Sequence, residues 1–459
     1  MDQALAPGPK IKSSFSFLVK RLRDPLGFFT RMAETYGDFV HVKAGRPDIF
    51  LLNNPDHIKR VLVTDHLNFT KGQGLQKAKR LLGNSLLTSE GELHRQQHRM
   101  VQPSFHHARI AGYASTMVAY ATRMADTWKD PSTVDISEQM MRLTLAIVAK
   151  TLFDADVESE AAAVGRALTA TMKLFPRYLI PFADLLEKLP LPSNRRFQQA
   201  KEYLDSTIYR MIEERRRNRL DKGDLLSMLL LAQDEEENGR RMTDTQVRDE
   251  AMTLFLAGHE TTSNALAWTW YLLGTNPDVE RRFHDEIDSV LGSKPATVAH
   301  VAKLKYTEMV FAESMRLFPP VWVVGRRAIE DYRIDGYVIP RQSLLLMSQW
   351  VMHRDRRFFP DPLRFDPNRW TAQAREGRPK FSYFPFGGGP RICIGESFAW
   401  TEGVLLLATI AQRWKLRLLP DHPVRPQALV TLRPRYGLKM IVQKRTCWTL
   451  APALKCNNN

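Results

Sequence analysis

The chain has 459 residues, 44% apolar and 25% charged, which is the composition of an ordinary globular protein with a large core. Lys and Arg number 66 against 50 Asp and Glu, and the net charge of +16 fits an acidic protein partner, an anionic surface or nucleic acid. The basic residues are scattered, and a solvated helix face explains the one dense run at 213–219, so we expect no nucleic-acid partner.

The cysteines and the N-terminal residues bear on location. Cys393, Cys447 and Cys456 are too few and too late in the chain for a disulfide framework, which predicts a reducing compartment, the cytoplasm. Residues 1–20 contain prolines, lysines and serines where a membrane anchor needs about 20 apolar residues. We therefore expect neither a signal peptide nor a membrane anchor, and we expect a monomer.

The chain shows no linker and no internal repeat. We expect one large domain over residues 38–445, an N-terminal segment over 1–37 that leads into it, and a disordered tail over 446–459. Helical spacing, interrupted by loops, dominates residues 90–316. The prediction is a mainly α protein with a minor β region.

Two hairpins account for most of the predicted β structure. Residues Asp38–Ala44 and Ile49–Asn53 alternate apolar and polar side chains as two strands do. A second, shorter hairpin is predicted to turn at Asp335-Gly336, a favoured pair for a two-residue loop.

A long helix is predicted from Thr243 to Gly274. Thr243 and Gln246 fit a capping box, and the helix ends before Asn276-Pro277. Its inward stripe contains small residues, which either allow another helix to pack closely or border a ligand. This stripe comprises Val247, Ala251, Leu254, Gly258, Thr261, Ala265, Trp268 and Leu272. His259 and Glu260 could begin a zinc-protease motif, but Ser263 stands where its second histidine is required.

Glu313 and Arg316 stand three residues apart on a predicted helix. Such pairs are most often surface ion pairs of small effect. An irregular segment with several prolines follows further on, over residues 367–389.

The segment from Phe386 to Gly395 places Cys393 between a glycine-rich turn and the start of an apolar helix. Free N–H groups at a helix N-terminus favour a thiolate, which binds metals and can serve as the axial ligand of haem iron. A buried structural cysteine is the alternative. A phosphate-binding loop is excluded because no Gly-Lys-Ser/Thr follows.

These motifs together resemble the cytochrome P450 family. The pattern Phe-x-x-Gly-x-Arg-x-Cys-x-Gly over 386–395 is similar to its haem-binding loop, and 257–262 is similar to its oxygen-binding helix, which loosens beside the haem. Glu313-x-x-Arg316 resembles the family signature, whose third member matches Arg369. The resemblance extends from about Asp38 to Gln443.

The resemblance implies a haem b cofactor and roles for named residues. Cys393 would be the iron ligand, with Phe386, Gly395 and Gly258 close to the cofactor. The haem propionates would meet cations, for which the candidates are Arg391, Arg326, His94 and His98, with Arg99 as an alternative to His98. Glu313, Arg316 and Arg369 would fix the loop that holds Cys393.

The implied activity is a haem-thiolate monooxygenase that activates O2, with Thr261 and Glu260 delivering protons. The expected substrate is an apolar molecule such as a fatty acid or a terpenoid, and electrons would come from a separate ferredoxin or flavodoxin. Candidate pocket walls are apolar almost throughout: Leu254, Phe255, 322–324, 174–175, 178–182 and 430–432, with Arg177 and Thr431 free to bind a polar end group.

Other haem-thiolate chemistry is the alternative. An isomerase, a dehydratase or a peroxide-driven relative needs no reductase, and a haem sensor needs no substrate. Glu260 and Thr261 argue against the isomerase, the dehydratase and the peroxide-driven relative, which have no use for proton delivery. The sensor is distinguished by whether the purified protein, given electrons and oxygen, consumes substrate.

Overall fold

A computed structural model of the chain describes residues 6–9, 23–43, 45, 47–154, 161–174, 189–218, 222–234 and 240–445. Helices dominate these residues. They are α1 (Pro25–Tyr36), α2 (Pro55–Lys59), α3 (Gln73–Leu82), α4 (Gly91–Val101), α5 (His107–Asp126), α6 (Ile136–Phe153), α7 (Ala161–Leu174), α8 (Pro192–Asn218), α9 (Leu225–Leu231), α10 (Asp244–Thr275), α11 (Pro277–Leu291), α12 (Val298–Val301), α13 (Lys305–Leu317), α14 (Gln349–Met352), α15 (Ala372–Arg375) and α16 (Glu396–Ala411).

Short strands make up the minor β region. They are β1 (Phe39–Val42), β2 (Ile49–Leu52), β3 (Phe69–Lys71), β4 (Ser132–Asp135), β5 (Gln233–Asp234), β6 (Arg240–Arg241), β7 (Val324–Ala328), β8 (Tyr332–Ile334), β9 (Tyr337–Ile339), β10 (Leu344–Met347), β11 (Trp414–Leu418), β12 (Pro426–Ala428), β13 (Leu432–Pro434) and β14 (Lys439–Lys444). The predicted mainly α fold class is confirmed.

The largest sheet has the strand order β1-β2-β10-β7-β3. Its first pair is the predicted N-terminal hairpin, in which Val40 pairs with Leu51 in antiparallel register. β10 joins β2 in parallel, which requires the long excursion through the helical region between them. The second predicted hairpin is also present: β8 and β9 are antiparallel, and Asp335 and Gly336 have φ of 47° and 82° at its turn.

Helix α10 passes through the interior. The predicted capping box is present, because the Thr243 hydroxyl accepts from the Gln246 N–H while the Gln246 side chain accepts from the Thr243 N–H. The helix packs against α6, α8, α13 and β11. It is buried on most of its circumference, more widely than the predicted single stripe, because neighbours surround it on several sides.

Helix α16 supplies much of the surrounding core. Its residues from Gly403 to Ala411 are all buried, and they join α10, α13 and α5 in one hydrophobic cluster. A helix that is apolar on all faces belongs in the interior, where its first turn takes a fixed position. No helix in the described part of the chain is both long enough and apolar enough to span a bilayer.

Candidate active site

Cys393 lies between the glycine-rich loop and the start of α16 at Glu396, as the sequence predicts. Its backbone N–H donates to the carbonyl of Phe386 at 3.0 Å, which closes the loop between them. Gly389, within this loop, has a φ of 69°, and a Cβ there would stand 1.9 Å from the carbonyl oxygen of Leu62. Only glycine fits this close approach. Cys393 keeps exposed surface, and protein groups nevertheless crowd around its sulfur.

The expected low pKa of Cys393 is wrong for the protein alone. The surrounding protein removes water and raises the pKa of the thiol to about 11, which outweighs the opposing effect of the Gly395 N–H. Desolvation disfavours a thiolate more than one N–H donor favours it here. A metal ion reverses this balance, because a coordinating thiol loses its proton outright.

The Glu313–Arg316 pair is buried rather than on the surface, and both side chains are fully inaccessible. Arg316 Nη2 and Nε donate to the two Glu313 carboxylate oxygens, each at 2.8 Å. Arg369 Nε lies 3.3 Å from Glu313 Oε1. The structure therefore brings together the three residues of the signature.

This buried pair reaches the cysteine loop through His353. Arg316 Nη1 donates to the His353 carbonyl at 2.8 Å, and the Phe384 N–H donates to His353 Nε2 at 3.0 Å. The Tyr383 hydroxyl donates to the carbonyl of Ala312 in α13 at 3.0 Å. Two residues after Phe384 comes Phe386, whose carbonyl holds Cys393.

A second cluster gathers cations from three separate segments. Arg391 pairs with Glu90 and donates to the carbonyl of Ser89 at 2.9 Å. Burial and repulsion by Arg391 lower the pKa of Arg326 to about 10. Burial and repulsion by Arg326 and Arg391 lower the pKa of Lys71 to about 7. The negative charge of Glu90 opposes both pKa shifts. Its Oε1 also accepts a hydrogen bond from the backbone N–H of Lys71 at 2.5 Å.

The two helix histidines border this cluster. The rings of His94 and His98 lie on one face of α4, with centroids 5.9 Å apart. Burial, Arg391 and Lys71 lower the pKa of His94 to about 3, and burial and Arg391 lower the pKa of His98. Arg99, the alternative to His98, has its Nη1 3.9 Å from Glu92 Oε1.

The cluster fits a dianionic ligand. Three basic side chains lie around Glu90, and burial, together with their mutual repulsion, lowers the pKa of Lys71 and of Arg326. Buried charges are stable only when they are paired. Two carboxylates at this place would restore the balance, which is what the propionates of a haem supply.

The middle of α10 has one accessible face, although the helix is buried on either side of it. Ala257 is exposed, and Gly258 and Thr261 are half-buried, between turns that are buried. The expected loosening of the helix is absent, because α10 is continuous and the Thr261 hydroxyl donates to the Ala257 carbonyl at 2.7 Å. Gly258 allows close packing, since a Cβ there would lie 3.1 Å from Val148.

Glu260 is buried beside this face. Its Oε1 accepts from the Thr431 hydroxyl at 2.5 Å. His259 is buried too, and its Nδ1 lies 2.9 Å from the Phe255 carbonyl. No group of three metal-ligating His, Cys, Asp or Glu side chains occurs in the part of the chain that the structure describes.

Several residues of the site escaped the sequence analysis. Lys71 and Glu90 complete the cation cluster, and Trp370 Nε1 donates to Glu313 Oε2 at 3.0 Å. Trp370 follows Arg369 directly in the chain, so the family signature could have predicted that Trp370 also lies close to Glu313. Lys71 stands in a short strand without a recognisable pattern, and only the fold brings it to Glu90.

Comparisons with known proteins agree with this geometry. A family model described as Cytochrome P450 matches residues 7–440. Cyclooctatin synthase of Streptomyces melanosporofaciens is 40% identical over 443 residues, which cover 96% of this chain and 95% of that protein. Cyclooctat-9-en-7-ol 5-monooxygenase of the same organism is 39% identical over 401 residues, which cover 87% of this chain and 86% of that protein.

The fold is shared with a solved structure. The cytochrome P450DA heme domain has a TM-score of 0.88 and 25% identity, and the match covers 97% of this chain and 99% of that one. The family match and the relatives together show that the chain belongs to the cytochrome P450 family.

Proposed function

We propose that this cytochrome P450 monooxygenase inserts oxygen into an apolar terpenoid, with Thr261 and Glu260 delivering the protons that the reaction consumes. The observation that supports the proposal is the accessible Ala257–Thr261 face of α10, where Thr261 is half-buried and the next residue in the chain towards the N-terminus is the buried Glu260. Dioxygen cleavage needs both proton delivery and exclusion of water, and a hydroxyl backed by a buried acid supplies the first without breaking the second.

The cofactor that this proposal requires is haem b. When bound, it supplies the cleavage of dioxygen and the transfer of one oxygen atom to substrate. Cys393 would hold it from the loop that precedes α16, with Phe386 and Gly395 alongside. Support for the propionate side comes from the charge excess around Glu90, where the cations have no second carboxylate among the described residues. These are Lys71, Arg326 and Arg391, with His94 and His98 as N–H donors.

The described residues among the proposed pocket walls are mainly apolar. Leu254 and Phe255 belong to a buried cluster against which Val430 packs. Trp322 is tied to the same region, because its Nε1 donates to the Leu429 carbonyl at 3.0 Å. The proposed walls at 175 and 178–182, and Arg177, lie outside the described residues. Thr431 is not free to bind a polar end group, because its hydroxyl is used by Glu260.

Pocket polarity favours a hydrocarbon skeleton over a polar ligand. Burial of apolar surface gains about 25 cal/mol per Å², whereas each unpaired hydroxyl costs about 1–3 kcal/mol. A relative named for a monooxygenase reaction on cyclooctat-9-en-7-ol supports a cyclic terpenoid with few polar groups.

A titration panel tests the substrate class. Cyclooctat-9-en-7-ol, other terpenoids, fatty acids and polyhydroxylated compounds are compared by the change that each produces in the haem absorption spectrum. We expect terpenoids to bind most tightly and to give products containing one atom from isotope-labelled dioxygen. Tighter binding of sugars or small polar acids would contradict the proposal. Tighter binding of fatty acids would show that the substrate is a fatty acid and not a terpenoid.

The electron donor is proposed to be an acidic ferredoxin or flavodoxin, supported by the net charge of +16. Lys380 is exposed, and its charge opposes the rise in the pKa of Glu396 in the first turn of α16, three residues after Cys393. Arg391 pairs with Glu90, and Arg95 and Arg99 lie close to Glu92. Action in the cytoplasm stays a prediction from the cysteine count.

A further inference from the structure

The tip of the β12–β13 hairpin attaches to α10 at three successive helical turns. The Thr431 hydroxyl donates to Glu260 Oε1 at 2.5 Å, and Asn264 Nδ2 donates to Thr431 Oγ1 at 3.2 Å. Trp268 Nε1 donates to the Leu432 carbonyl at 3.1 Å. Residues 260, 264 and 268 are four apart, so they form a single stripe on the helix, and the hairpin tip lies along it.

The direction of these bonds is fixed by the donors. The amide NH2 of Asn264 can only donate, so it occupies a lone pair of the Thr431 oxygen. The one hydroxyl proton of Thr431 is then left for the carboxylate of Glu260. All three side chains are buried, with 4% exposure for Thr431, 3% for Asn264 and 4% for Glu260. A charge-assisted hydrogen bond in such surroundings is stronger than one in water.

The hairpin tip is also held from its other side, independently of Glu260. The Leu432 N–H donates to the Pro320 carbonyl at 2.8 Å, and Trp322 Nε1 donates to the Leu429 carbonyl at 3.0 Å. Thr431 is therefore a fixed point, and the carboxylate of Glu260, at the end of a flexible side chain, is the part that it restrains.

We propose that Thr431 is a positioning residue for proton delivery, which holds the carboxylate of Glu260 at a defined place beside the accessible face of α10. The inference rests on the proposed role of Glu260. In this proposal Thr431 acts through the carboxylate of Glu260, which uses its hydroxyl proton. Loss of its hydroxyl leaves Glu260 buried with fewer donors and free to turn away.

The test compares Thr431→Val, which keeps the shape and removes the hydroxyl, with Thr431→Ser, which keeps the hydroxyl. Each variant is assayed with the terpenoid that changes the haem spectrum most. In Thr431→Val we expect about a tenfold fall in turnover, more hydrogen peroxide per electron consumed and a larger solvent isotope effect. Thr431→Ser should restore all three. Asn264→Leu, which removes the donor to Thr431, should change them in the same direction but less.

A double variant separates this inference from the proposed function. If Thr431 acts through Glu260, Thr431→Val combined with Glu260→Gln should be no worse than Glu260→Gln alone. Additive losses in the double variant, or normal coupling in Thr431→Val beside an uncoupled Glu260→Gln, overturn the inference and leave the role of Glu260 standing. Normal coupling in Glu260→Gln itself overturns that role. If Thr431→Val retains no haem, Thr431→Ala and Asn264→Leu give the same comparison.

Discussion

The backbone N–H of Phe384 donates to Nε2 of His353 at 3.0 Å, and the carbonyl of the same histidine accepts from Arg316 Nη1 at 2.8 Å. One buried residue thus joins the Glu313–Arg316 pair to the loop that carries Cys393. Burial and the charges of Arg316 and Arg354 lower the pKa of His353 well below its usual value, so its ring is neutral and Nε2 can accept.

Replacement of His353 by Ala should loosen this connection. An unpaired Phe384 N–H and a cavity together should destabilise the protein by about 2–4 kcal/mol and reduce haem retention. Thermal unfolding and the ratio of haem to protein absorbance measure the two effects. His353→Gln, whose amide oxygen can accept the same hydrogen bond, is the matched control and should lose less. If both variants lose the same stability and the same haem, the hydrogen bond from Phe384 is not what stabilises the loop.

Thr261→Ala and Glu260→Gln should keep the cofactor but waste electrons. Each removes a group of the proposed proton path and leaves Cys393 untouched, so we expect a normal carbon-monoxide spectrum and about tenfold more peroxide per electron consumed. Thr261→Ser and Glu260→Asp are the matched controls, since each keeps the chemical group. The proton path is wrong if both primary variants oxygenate substrate with unchanged coupling.

The buried carboxyl of Glu402 should make the stability of the protein depend on pH. Glu402 is fully buried in α16, and burial raises the pKa of its carboxyl to about 8, with Thr262 acting in the opposite direction. The folded state therefore keeps the proton between about pH 4.5 and 8, where the unfolded chain releases it, so stability falls as pH rises through that range. Above pH 8 the full penalty is present.

Glu402→Gln should flatten this dependence. One such group accounts for at most about 1.4 kcal/mol per pH unit, so the variant should gain stability relative to the parent from pH 5 to pH 8. Denaturant unfolding at several pH values gives the two curves. Burial also raises the pKa of Glu250 to about 8. Its contribution to the pH dependence of stability is the same in both proteins and cancels in the comparison. Parallel curves would show that Glu402 does not titrate as described.

Association with an acidic electron donor should weaken with salt. Exposed charges are screened over about 10 Å at 0.1 M salt, so the rate of reduction should fall as ionic strength rises. Lys380→Glu should slow reduction severalfold at low salt, while Arg341→Glu, which makes the same charge change on the exposed loop between β9 and β10, should not. A reduction rate that does not respond to salt would count against an electrostatic docking face.

The sequence predicted those parts of the molecule that depend on local spacing. The Thr243–Gln246 capping box, both hairpins and the Glu313–Arg316 pair are read within a few residues, and the structure contains each. Arg369 is distant in the chain from Glu313 and Arg316, and only the family signature predicted that it joins them.

Contacts between distant segments could not be predicted. Thr431 and Glu260 are 171 positions apart, and Arg391 and Glu90 are 301 apart, so neither pairing leaves a local pattern. The pKa of Cys393 was predicted in the wrong direction for the same reason. The helix N-terminus that lowers it is local, whereas the burial that raises it depends on the whole fold.

The central claim is that Cys393, and no other cysteine, provides the thiolate that makes this protein a cytochrome P450 monooxygenase. The most direct measurement is the absorption spectrum of the reduced carbon-monoxide complex. We expect the red-shifted band in the parent protein, in Cys447→Ser and in Cys456→Ser, and its loss in Cys393→Ser. A red-shifted band that persists in Cys393→Ser would contradict the account.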